Sequence, residues 1–517
     1  MKIKGIFKLM FSRLFAVALS VIIQVVLIAY FMFQLTESYI YFQIASTVLA
    51  VLIVVGIANE KSHPEQKLLW VLLISVIPIV GITLYVLFSI NKLPKKFIEK
   101  YTKFDTNLFK KEDISPLLKE YKTDFKYLVS QTGIDVCKNS ECVYLKDGKE
   151  FYESLISDLK KAEKFIFMEY FIINEVVMWN NILNILIEKA KQGVDVRFIY
   201  DDLGSCKNVK GTYYKKLRKE GIKCYKFNKM LALISSYHNN RDHRKITVID
   251  GIIAYTGGIN LSDEYMNINS PFGYWKDNAI RVKGEAVDNF TILFLQMYSL
   301  VSRTKADIEK YLYNANKKEE IISDEIIYAF GSGPKNVYDE NMAIDAFLNL
   351  IHSAKESIDI STPYLITDYS ITNALIAASK KGIKVRILFP SKPDKRLIWW
   401  FGKQTAMELA KNGVEIYSYT PGFNHAKSFL VDNKIAFVGT TNLDFRSLLH
   451  HFECGALIYN SKCLKEIDDN FENDYLMSKR MTEKDLKMNP ISGVIISFLR
   501  IFQSLLYKTG RLFLPVF

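Results

Sequence analysis

Two segments of the 517-residue sequence carry the same polar residue types at the same spacing. In each segment a histidine is followed by a lysine two positions later and by an aspartate seven positions later. The residues are His243, Lys245 and Asp250 in the first copy and His425, Lys427 and Asp432 in the second. Chance does not readily produce such a repeat in one chain, so we expect both copies to serve one reaction.

Both copies continue with an amide and then a carboxylate. Asn260 and Asn442 each follow their lysine by 15 residues. Acidic residues come next, Asp277 in the first copy and Glu453 in the second. Each copy therefore offers an imidazole, an ammonium, an amide and a carboxylate, and two copies together offer a symmetric pair.

This set of groups suits phosphoryl transfer through a covalent intermediate. One imidazole attacks phosphorus while the other protonates the leaving alcohol. The lysines and asparagines would neutralise charge that grows on the phosphoryl oxygens, so the reaction needs no metal. A carboxylate on the far ring nitrogen would fix the histidine tautomer. No glycine-rich phosphate loop is present in the sequence, so we expect no nucleotide cofactor.

Strands are the elements that would position these groups. Alternate residues of a strand point to the same face, so each histidine should project together with its lysine. A strand, a helix ending in glycine and a second strand occur in this order twice along the chain. The predicted strands cover 164–173, 194–202, 357–366 and 383–390, and the helices cover 179–193 and 371–382. The sequence therefore predicts an internal duplication with two similar α/β halves.

Some candidate residues have a second interpretation. Asp250 and Asp432 belong to the repeat, but aspartates at the ends of apolar strands more often hold a turn or a buried ion pair. The histidines without a lysine partner are interpreted as structural or surface residues: His63, His238, His352, His450 and His451. The last two are the exceptions to follow, because they adjoin Glu453. The six cysteines form no C-x-x-C pair and are interpreted as small apolar residues.

The two ends of the chain are apolar. Runs at 14–33, 39–58 and 68–90 are each long enough to cross a hydrocarbon core of about 30 Å. Basic residues flank both sides of this region, so the number of spans stays open and a re-entrant run is an alternative. Near the C-terminus, apolar residues such as Ile491, Val494 and Ile495 share a helical face, which favours an in-plane membrane anchor over a core helix.

Charge alone leaves two classes of partner open. The chain has 68 Lys and Arg against 55 Asp and Glu, a formal charge of +13. Nucleic acid and anionic lipid are both compatible with this excess. A nuclease does not need three long apolar runs, so we expect a lipid bilayer and not nucleic acid as the partner.

The repeated segments resemble the HKD motifs of the phospholipase D superfamily. "NRDHRKITVIDG" with "GGIN", and "HAKSFLVDN" with "GTTNLDFRS", are similar to bacterial cardiolipin synthases in particular. The resemblance covers both halves, from 145 to 478, and extends to 70–85, which is similar to the N-terminal membrane segment of that family. The apolar run that begins at Leu14 departs from the family's two-span pattern.

The resemblance implies two phospholipase D-like α/β/α sandwich halves behind an N-terminal transmembrane helical segment. The implied regions are a membrane-spanning part (1–95), a basic linker (96–144), the first half (145–304), a charged linker (305–327), the second half (328–480) and a membrane-associated tail (481–517). It also implies a multi-pass protein of the bacterial cell membrane that acts in phospholipid biosynthesis.

The implied reaction joins two phosphatidylglycerol molecules into cardiolipin and glycerol through a phosphohistidine. By resemblance, His243 is the nucleophile and His425 the acid and then the base. The implied phosphate-binding groups are Lys245, Asn260, Lys427 and Asn442, and the implied histidine-orienting groups are Asp277 and Glu453. Three alternatives remain: a phospholipase D hydrolase or a transferase that uses another alcohol, an HKD nuclease, and a non-catalytic membrane scaffold.

Overall fold

The structure is a computed structural model that describes 40–60, 64–89, 117–229, 240–305, 307–334 and 341–501, together with the single positions 26, 30, 101 and 337. The chain divides into two compact units. A helical unit combines Met1–Leu93, Met230–Asn240 and Met488–Phe517, and a larger unit combines Pro94–Lys229 and Arg241–Lys487. Each unit is described by itself below.

The helical unit contains three apolar helices near the N-terminus: α1 (Ile40–Asn59), α2 (Pro64–Val76) and α3 (Pro78–Ser89). All three pack on one another. Pro78 lacks an N–H and begins α3, a position where that loss is tolerated. A Cβ on Gly81 would lie 2.5 Å from the Ile74 Cα, so glycine permits the close approach of α2 and α3. The run at 68–90 is therefore two short helices and not one long helix.

Among the described residues, no helix has both the length and the hydrophobicity that crossing a membrane requires. The run at 14–33 lies outside the described residues, apart from Val26 and Tyr30. The run at 39–58 corresponds to α1, which exposes apolar side chains such as Val48, Leu52 and Val55. The structure thus does not confirm the predicted transmembrane segment.

The larger unit begins with helix α4 (Lys122–Thr132), which is followed by a half with a seven-stranded sheet. Its elements are β1 (Ser140–Leu145), α5 (Gly148–Lys161), β2 (Phe165–Tyr170), α6 (Val177–Lys191), β3 (Asp195–Asp201), α7 (Tyr213–Lys219), β4 (Lys223–Phe227), β5 (Lys245–Ile249), β6 (Ile253–Gly257), β7 (Tyr274–Lys276), β8 (Ala279–Gly284) and α8 (Val287–Ser302). The strand order is β1-β8-β6-β5-β2-β3-β4, in which β2, β3 and β4 are parallel and the other pairs antiparallel.

Helices cover both faces of this sheet. On one face, α5 and α6 bury Leu155 and Ile182 against strand residues such as Ile166 and Phe198. On the other face, α8 places Phe294 in a stacked contact with Phe167, with ring centroids 4.7 Å apart. Apolar residues on both faces explain why β2 is buried along its whole length.

A short helix, α9 (Tyr313–Asn316), leads to the second half. Its elements are β9 (Ile326–Ser332), α10 (Met342–Ser353), β10 (Ser357–Ser361), β11 (Leu365–Ile366), α11 (Tyr369–Lys380), β12 (Lys384–Pro390), α12 (Arg396–Lys411), β13 (Glu415–Tyr419), β14 (Gly422–Asn424), β15 (Ser428–Val431), β16 (Ile435–Gly439), β17 (Leu443–Asp444), α13 (Phe445–Leu449), β18 (Glu453–Tyr459), α14 (Cys463–Leu476) and β19 (Ser478–Met481).

The second sheet repeats the first. Its order is β19-β13-β12-β10-β15-β16-β18-β9. Strands β10, β12 and β13 are parallel, like β2, β3 and β4, and the strands from β15 to β9 are antiparallel, like those from β5 to β1. The predicted duplication of an α/β half is therefore confirmed.

Some predicted segments contain more secondary structure than the sequence indicated. The segment 96–144 is more than a linker, because it contains α4 and an edge strand, β1, that pairs with β8. The segment 305–327 likewise contains α9 and the start of β9. The strand predicted over 357–366 is two strands in different sheets, because β10 ends at Ser361 and β11 pairs with β17.

The chain ends with α15 (Glu483–Leu486) and α16 (Pro490–Ile501). Helix α16 belongs to the helical unit and packs on α2. Ile496 of this helix is buried, whereas Ile491, Val494 and Ile495 are exposed. The rest of the predicted apolar tail, from 502 to 517, lies outside the described residues.

Candidate active site

The two motif histidines lie where the two halves of the larger unit meet. His243 precedes β5, and its backbone N–H donates to the Phe452 carbonyl of the second half over 2.9 Å. His425 follows β14, which pairs with β7 of the first half, and its N–H donates to the Lys276 carbonyl over 2.7 Å. Each histidine segment is therefore anchored by the backbone of the opposite half.

The carboxylates pair with the histidines across this interface. Nδ1 of His243 lies 2.8 Å from Oε2 of Glu453. Nδ1 of His425 lies 2.6 Å from Oδ2 of Asp277. Both carboxylates are fully buried, so each contact is shielded from water. The acid of each half thus binds the histidine of the other half, a crossing that the sequence analysis did not predict.

The small residues after each motif make room for, or bind, these acids. A Cβ on Gly258 would lie 2.0 Å from Oδ1 of Asp277, so the second glycine of "GGIN" is required by close approach. In the second half, Thr440 of "GTTN" instead donates its hydroxyl to Oε2 of Glu453. The Ser447 hydroxyl donates to Oε1 of the same carboxylate. Glu453 is therefore held by more side chains than the histidine alone.

Each lysine lies beside its own histidine. Nζ of Lys245 donates to the His243 carbonyl over 2.6 Å, and Nζ of Lys427 donates to the His425 carbonyl. Nζ of Lys427 also lies 2.8 Å from Nδ1 of His425. Burial lowers the pKa of Lys245 to about 8 and that of Lys427 to about 7. An anionic ligand would restore the charge that burial disfavours.

The imidazoles are held neutral in the site. Burial, followed by the charge of Lys245, lowers the pKa of His243 well below its usual range. Burial, followed by Lys427, lowers the pKa of His425 to about 4. Burial also raises the pKa of Glu453 to about 8, whereas the Lys245 ammonium and the hydroxyls of Ser447 and Thr440 favour its carboxylate form. A neutral imidazole whose Nδ1 faces a carboxylate presents Nε2 as a lone pair, the form that a nucleophile or base requires.

The two predicted phosphate-binding asparagines differ in their contacts. Oδ1 of Asn260 accepts the Ile172 N–H over 3.0 Å, and its Nδ2 donates to the Tyr265 hydroxyl over 2.6 Å. Oδ1 of Asn442 is buried and has no hydrogen-bond partner within the described part of the chain. Their binding of phosphate stays a prediction.

The motif aspartates lie away from the histidines. Oδ1 of Asp250 accepts the N–H groups of Lys164 and Phe165, at 2.7 and 2.8 Å. Oδ1 of Asp432 makes the same pair of contacts to Glu356 and Ser357, at 2.7 and 2.8 Å. Both aspartates have a positive φ, 54° and 51°. Each aspartate lies seven positions after its histidine, which corresponds to about 20 Å along an extended chain.

The contacts of Asp250 and Asp432 favour the other interpretation that the sequence allowed. Their carboxylates bind backbone donors at the start of the neighbouring strand and hold the turn. A catalytic role of the two aspartates stays a prediction.

The other histidines separate into distinct groups. His352 is exposed, and His63 and His238 lie outside the described residues. His450 and His451 are buried, and Nδ1 of His451 lies 3.5 Å from Oε1 of Glu453.

His243, His451 and Glu453 offer ligand atoms within 4.8 Å of one another, the one such group found among the described residues that could hold a metal ion. The ammonium of Lys245 beside His243 opposes a cation there. All six cysteines are free.

Aromatic rings around the histidines were not predicted. The Phe171 ring lies 4.8 Å from that of His243. Tyr265 and Trp275 lie 5.5 and 5.4 Å from His425. Phe171 lies in the predicted strand 164–173, but no spacing rule in the sequence connects any of these three rings with its histidine.

Comparisons with known proteins support these observations. Residues 155–297 and 347–475 match the family described as "Cardiolipin synthase, PLD-like domain", and 47–89 match "Phospholipase_D-nuclease N-terminal". The chain is 34% identical over 467 residues to a cardiolipin synthase of Alkalihalophilus pseudofirmus, a match that covers 88% of this chain and 90% of the relative. It is 37% identical over 454 residues to an uncharacterized protein of Streptococcus mutans, with 86% and 97% covered.

One solved structure supports the fold. The crystal structure of phosphatidylserine synthase from Haemophilus influenzae matches with a TM-score of 0.58 at 14% identity. The match covers 76% of this chain and 100% of that one. The larger unit therefore has a two-lobed α/β fold of the phospholipase D type, with mixed sheets.

Proposed function

Because the chain belongs to the cardiolipin synthase family with phospholipase D-like domains, we propose that it is a phosphatidyltransferase that converts two phosphatidylglycerol molecules into cardiolipin and glycerol. The observation that carries this proposal is the pair of crossed histidine–carboxylate contacts, 2.8 and 2.6 Å long, in one buried site. A site with two such histidines can exchange one phosphodiester for another.

In the first step, Nε2 of His243 attacks the phosphorus of one phosphatidylglycerol. The bond from phosphorus to the headgroup glycerol oxygen breaks, and protonated His425 gives its proton to that oxygen. Glu453 stabilises the positive charge on the His243 ring through Nδ1–H. Glycerol leaves, and the phosphatidyl group stays on His243 as a phosphoramidate.

The first step uses a protonated His425, although burial and the charge of Lys427 lower the pKa of this ring to about 4. A bound phosphodiester is an anion, and it offsets the ammonium charges of Lys245 and Lys427. The carboxylate of Asp277 lies 2.6 Å from Nδ1 and stabilises the imidazolium. Substrate binding therefore favours the protonated form that the first step uses.

In the second step, a headgroup hydroxyl of another phosphatidylglycerol gives its proton to neutral His425 and attacks phosphorus. The bond from phosphorus to Nε2 of His243 breaks, which releases cardiolipin and restores both histidines. One phosphodiester is broken and one is made, so the overall exchange is nearly balanced and needs no nucleotide. Water must be kept from the phosphohistidine, and side-chain burial around His243 and His425 serves this need.

The substrate is a lipid, so the protein must act at a bilayer. We assign it to the bacterial cell membrane as a multi-pass protein, anchored through its helical unit. Exposed apolar side chains on α1 and on α16 support this assignment. The break at Ile77–Pro78 favours a re-entrant α2–α3 pair, because helices of 13 and 12 residues reach only about 20 Å each. The formal charge of +13 suits anionic lipid.

The test is lipid mass spectrometry on the purified full chain, reconstituted in vesicles of phosphatidylglycerol alone. Wild type should form cardiolipin and glycerol, whereas His243→Ala and His425→Ala should form neither. His352→Ala, which changes an exposed histidine of α10, is the matched control and should behave as wild type. If phosphatidic acid forms without cardiolipin, water is the acceptor and not phosphatidylglycerol. That result would overturn the proposed transfer and identify a hydrolase.

A further inference from the structure

Each of the two site histidines is flanked by a second ring from the opposite half. Trp275 lies two residues before the acid that binds His425, and the two rings are 5.4 Å apart at 44°. His451 lies two residues before the acid that binds His243, and these rings are 5.5 Å apart at 41°. The indole and the imidazole therefore occupy equivalent places in the duplicated site.

The two rings differ in their chemistry. An indole carries no titrating group, whereas an imidazole can donate, accept and take up a proton. Nδ1 of His451 lies 3.5 Å from Oε1 of Glu453, and the other oxygen of that carboxylate contacts Nδ1 of His243. One carboxylate thus lies between two imidazoles. Asp277 instead uses its second oxygen to accept the N–H of Asn278 over 2.8 Å.

We propose that His451 is a positioning residue: it shares the Glu453 carboxylate with His243 and thereby makes the first-half histidine electrostatically distinct from His425. The consequence for catalysis rests on the proposed function, whereas the shared contact does not depend on the substrate. His451 would act through Glu453 and His243 and would not touch the reacting atoms.

The direction of the effect follows from the groups around His243. After burial, its pKa is lowered by Lys245 on its own segment, by His451, and by Lys427 and His425 of the second half. Glu453 opposes these cations. A second imidazole 3.5 Å from this carboxylate adds positive charge beside His243 when it is protonated. This charge keeps Nε2 of His243 unprotonated and nucleophilic to lower pH.

The contact also gives the two halves unequal roles. His425 has an indole where His243 has an imidazole, and an indole takes up no proton beside Asp277. His425 can therefore take and return a proton without this restraint, while His243 is held as the nucleophile. The chemistry of one ring position thus separates two histidines that are otherwise equivalent by duplication.

The experiment measures the protonation of each histidine directly. Deuterium exchange at the ring C2–H, followed by peptide mass spectrometry over a pH series, gives a midpoint for His243 and for His425 in the reconstituted full chain. His451→Phe should raise the His243 midpoint by about half a pH unit or more. His451→Gln, which keeps a polar side chain but cannot carry a charge, should also raise the His243 midpoint. The matched ring variant Trp275→Phe should leave the His243 midpoint unchanged.

The pH dependence of kcat/KM is a second measurement, which connects the His243 midpoint with turnover. The acid limb of kcat/KM for glycerol release from phosphatidylglycerol should move upward in His451→Phe with the exchange midpoint. Equal His243 midpoints in wild type and in both His451 variants would overturn the proposal and leave His451 as a packing residue. A shifted midpoint in a protein that makes no cardiolipin would retain this inference and overturn the proposed function, so the two failures are distinguishable.

Discussion

The two halves of the larger unit present the same reactive groups on different supports. Residues that alternate with the histidine and lysine point away from the reactive face. In the first half these are Asp242 and Arg244, whereas in the second half they are Asn424 and Ala426. Both sets are buried. The face that carries the chemistry is therefore repeated, while the opposite face has diverged.

Charges support the first half. Arg244 is fully buried, donates to the Tyr101 hydroxyl over 2.5 Å and to the Leu293 carbonyl over 3.2 Å, and lies 3.9 Å from Glu169. Burial raises the pKa of Asp242 to about 6, and burial together with Asp242 raises the pKa of Glu169 well above its usual range. The two carboxyl groups therefore share a proton rather than carry two charges.

Neutral groups support the second half. Nδ2 of Asn424 donates to the Ser361 hydroxyl over 3.0 Å and to the Leu388 carbonyl over 3.2 Å. Ala426 has no polar side-chain atom to satisfy. The histidine, the lysine and the crossed acid are repeated in both halves, whereas the residues behind each strand need only to be buried and to have their polar groups satisfied.

We expect the largest effect from variants that remove the crossed contacts between each acid and the histidine of the other half. Glu453→Gln and Asp277→Asn each remove the carboxylate that holds a histidine of the other half. We expect each to lower kcat in phosphatidylglycerol vesicles by about 10²- to 10⁴-fold, because the imidazole loses its orientation and its charge partner. Circular dichroism of each variant is the control for folding. A loss below tenfold in either variant would contradict a role for that contact.

The charged groups behind the first-half histidine and the neutral groups behind the second-half histidine should contribute differently to the free energy of unfolding. Arg244→Met leaves buried carboxyl groups without their cation, and we expect the free energy of unfolding to fall by about 3–5 kcal/mol. Asn424→Ala removes only neutral hydrogen bonds and should cost about 1–2 kcal/mol. Denaturant unfolding of the purified protein measures both. Equal losses would show that the charged and neutral supports are energetically equivalent.

The lysines predict a pH dependence with a definite sign. The pKa values of Lys427 and Lys245 fall from an ordinary 10.5 to about 7 and about 8, so the unfolded chain binds more protons above these values. Stability should therefore rise with pH between about 7 and 10.5. Lys427→Met should reduce this slope by about 1 kcal/mol per pH unit, and over a wider range than Lys245→Met. A slope unchanged in both variants would contradict the burial of charged lysines.

The smallest expected effect concerns the motif aspartates. Asn tolerates a positive φ but lacks the charge that binds the backbone donors. Asp250→Asn and Asp432→Asn should each lower the free energy of unfolding by about 1–3 kcal/mol, by similar amounts in the two halves. The kcat of the folded fraction should stay at the wild-type value. A selective loss of kcat would return these residues to the catalytic group.

The sequence predicted the parts of the site that depend on spacing. The histidines and lysines, the later asparagines and acids, and the duplicated strand–helix–strand order are all periodic along the chain. It could not predict that Glu453 binds His243 and that Asp277 binds His425, because spacing within one copy does not show contacts between copies. The contact of Tyr101 with Arg244 was not predicted either, because Tyr101 lies outside both copies.

Other features were visible but outweighed. Pro78 and Gly81 stand inside the apolar run at 68–90, but the prediction of a single span used only the length of the run. His451 was noted for its closeness to Glu453 in sequence, but only the structure shows that it occupies the place of Trp275. The role of such a residue can be interpreted only when the residues that it contacts in the other half are known.

The central claim is that one histidine from each half serves a single reaction, with His243 carrying the phosphatidyl group. The most direct measurement is a rapid quench of the reconstituted chain with phosphatidylglycerol, followed by peptide mass spectrometry of the covalent adduct. We expect the adduct on His243 in wild type, and its absence in His243→Ala. An adduct on His425, in wild type or in His243→Ala, would contradict the account.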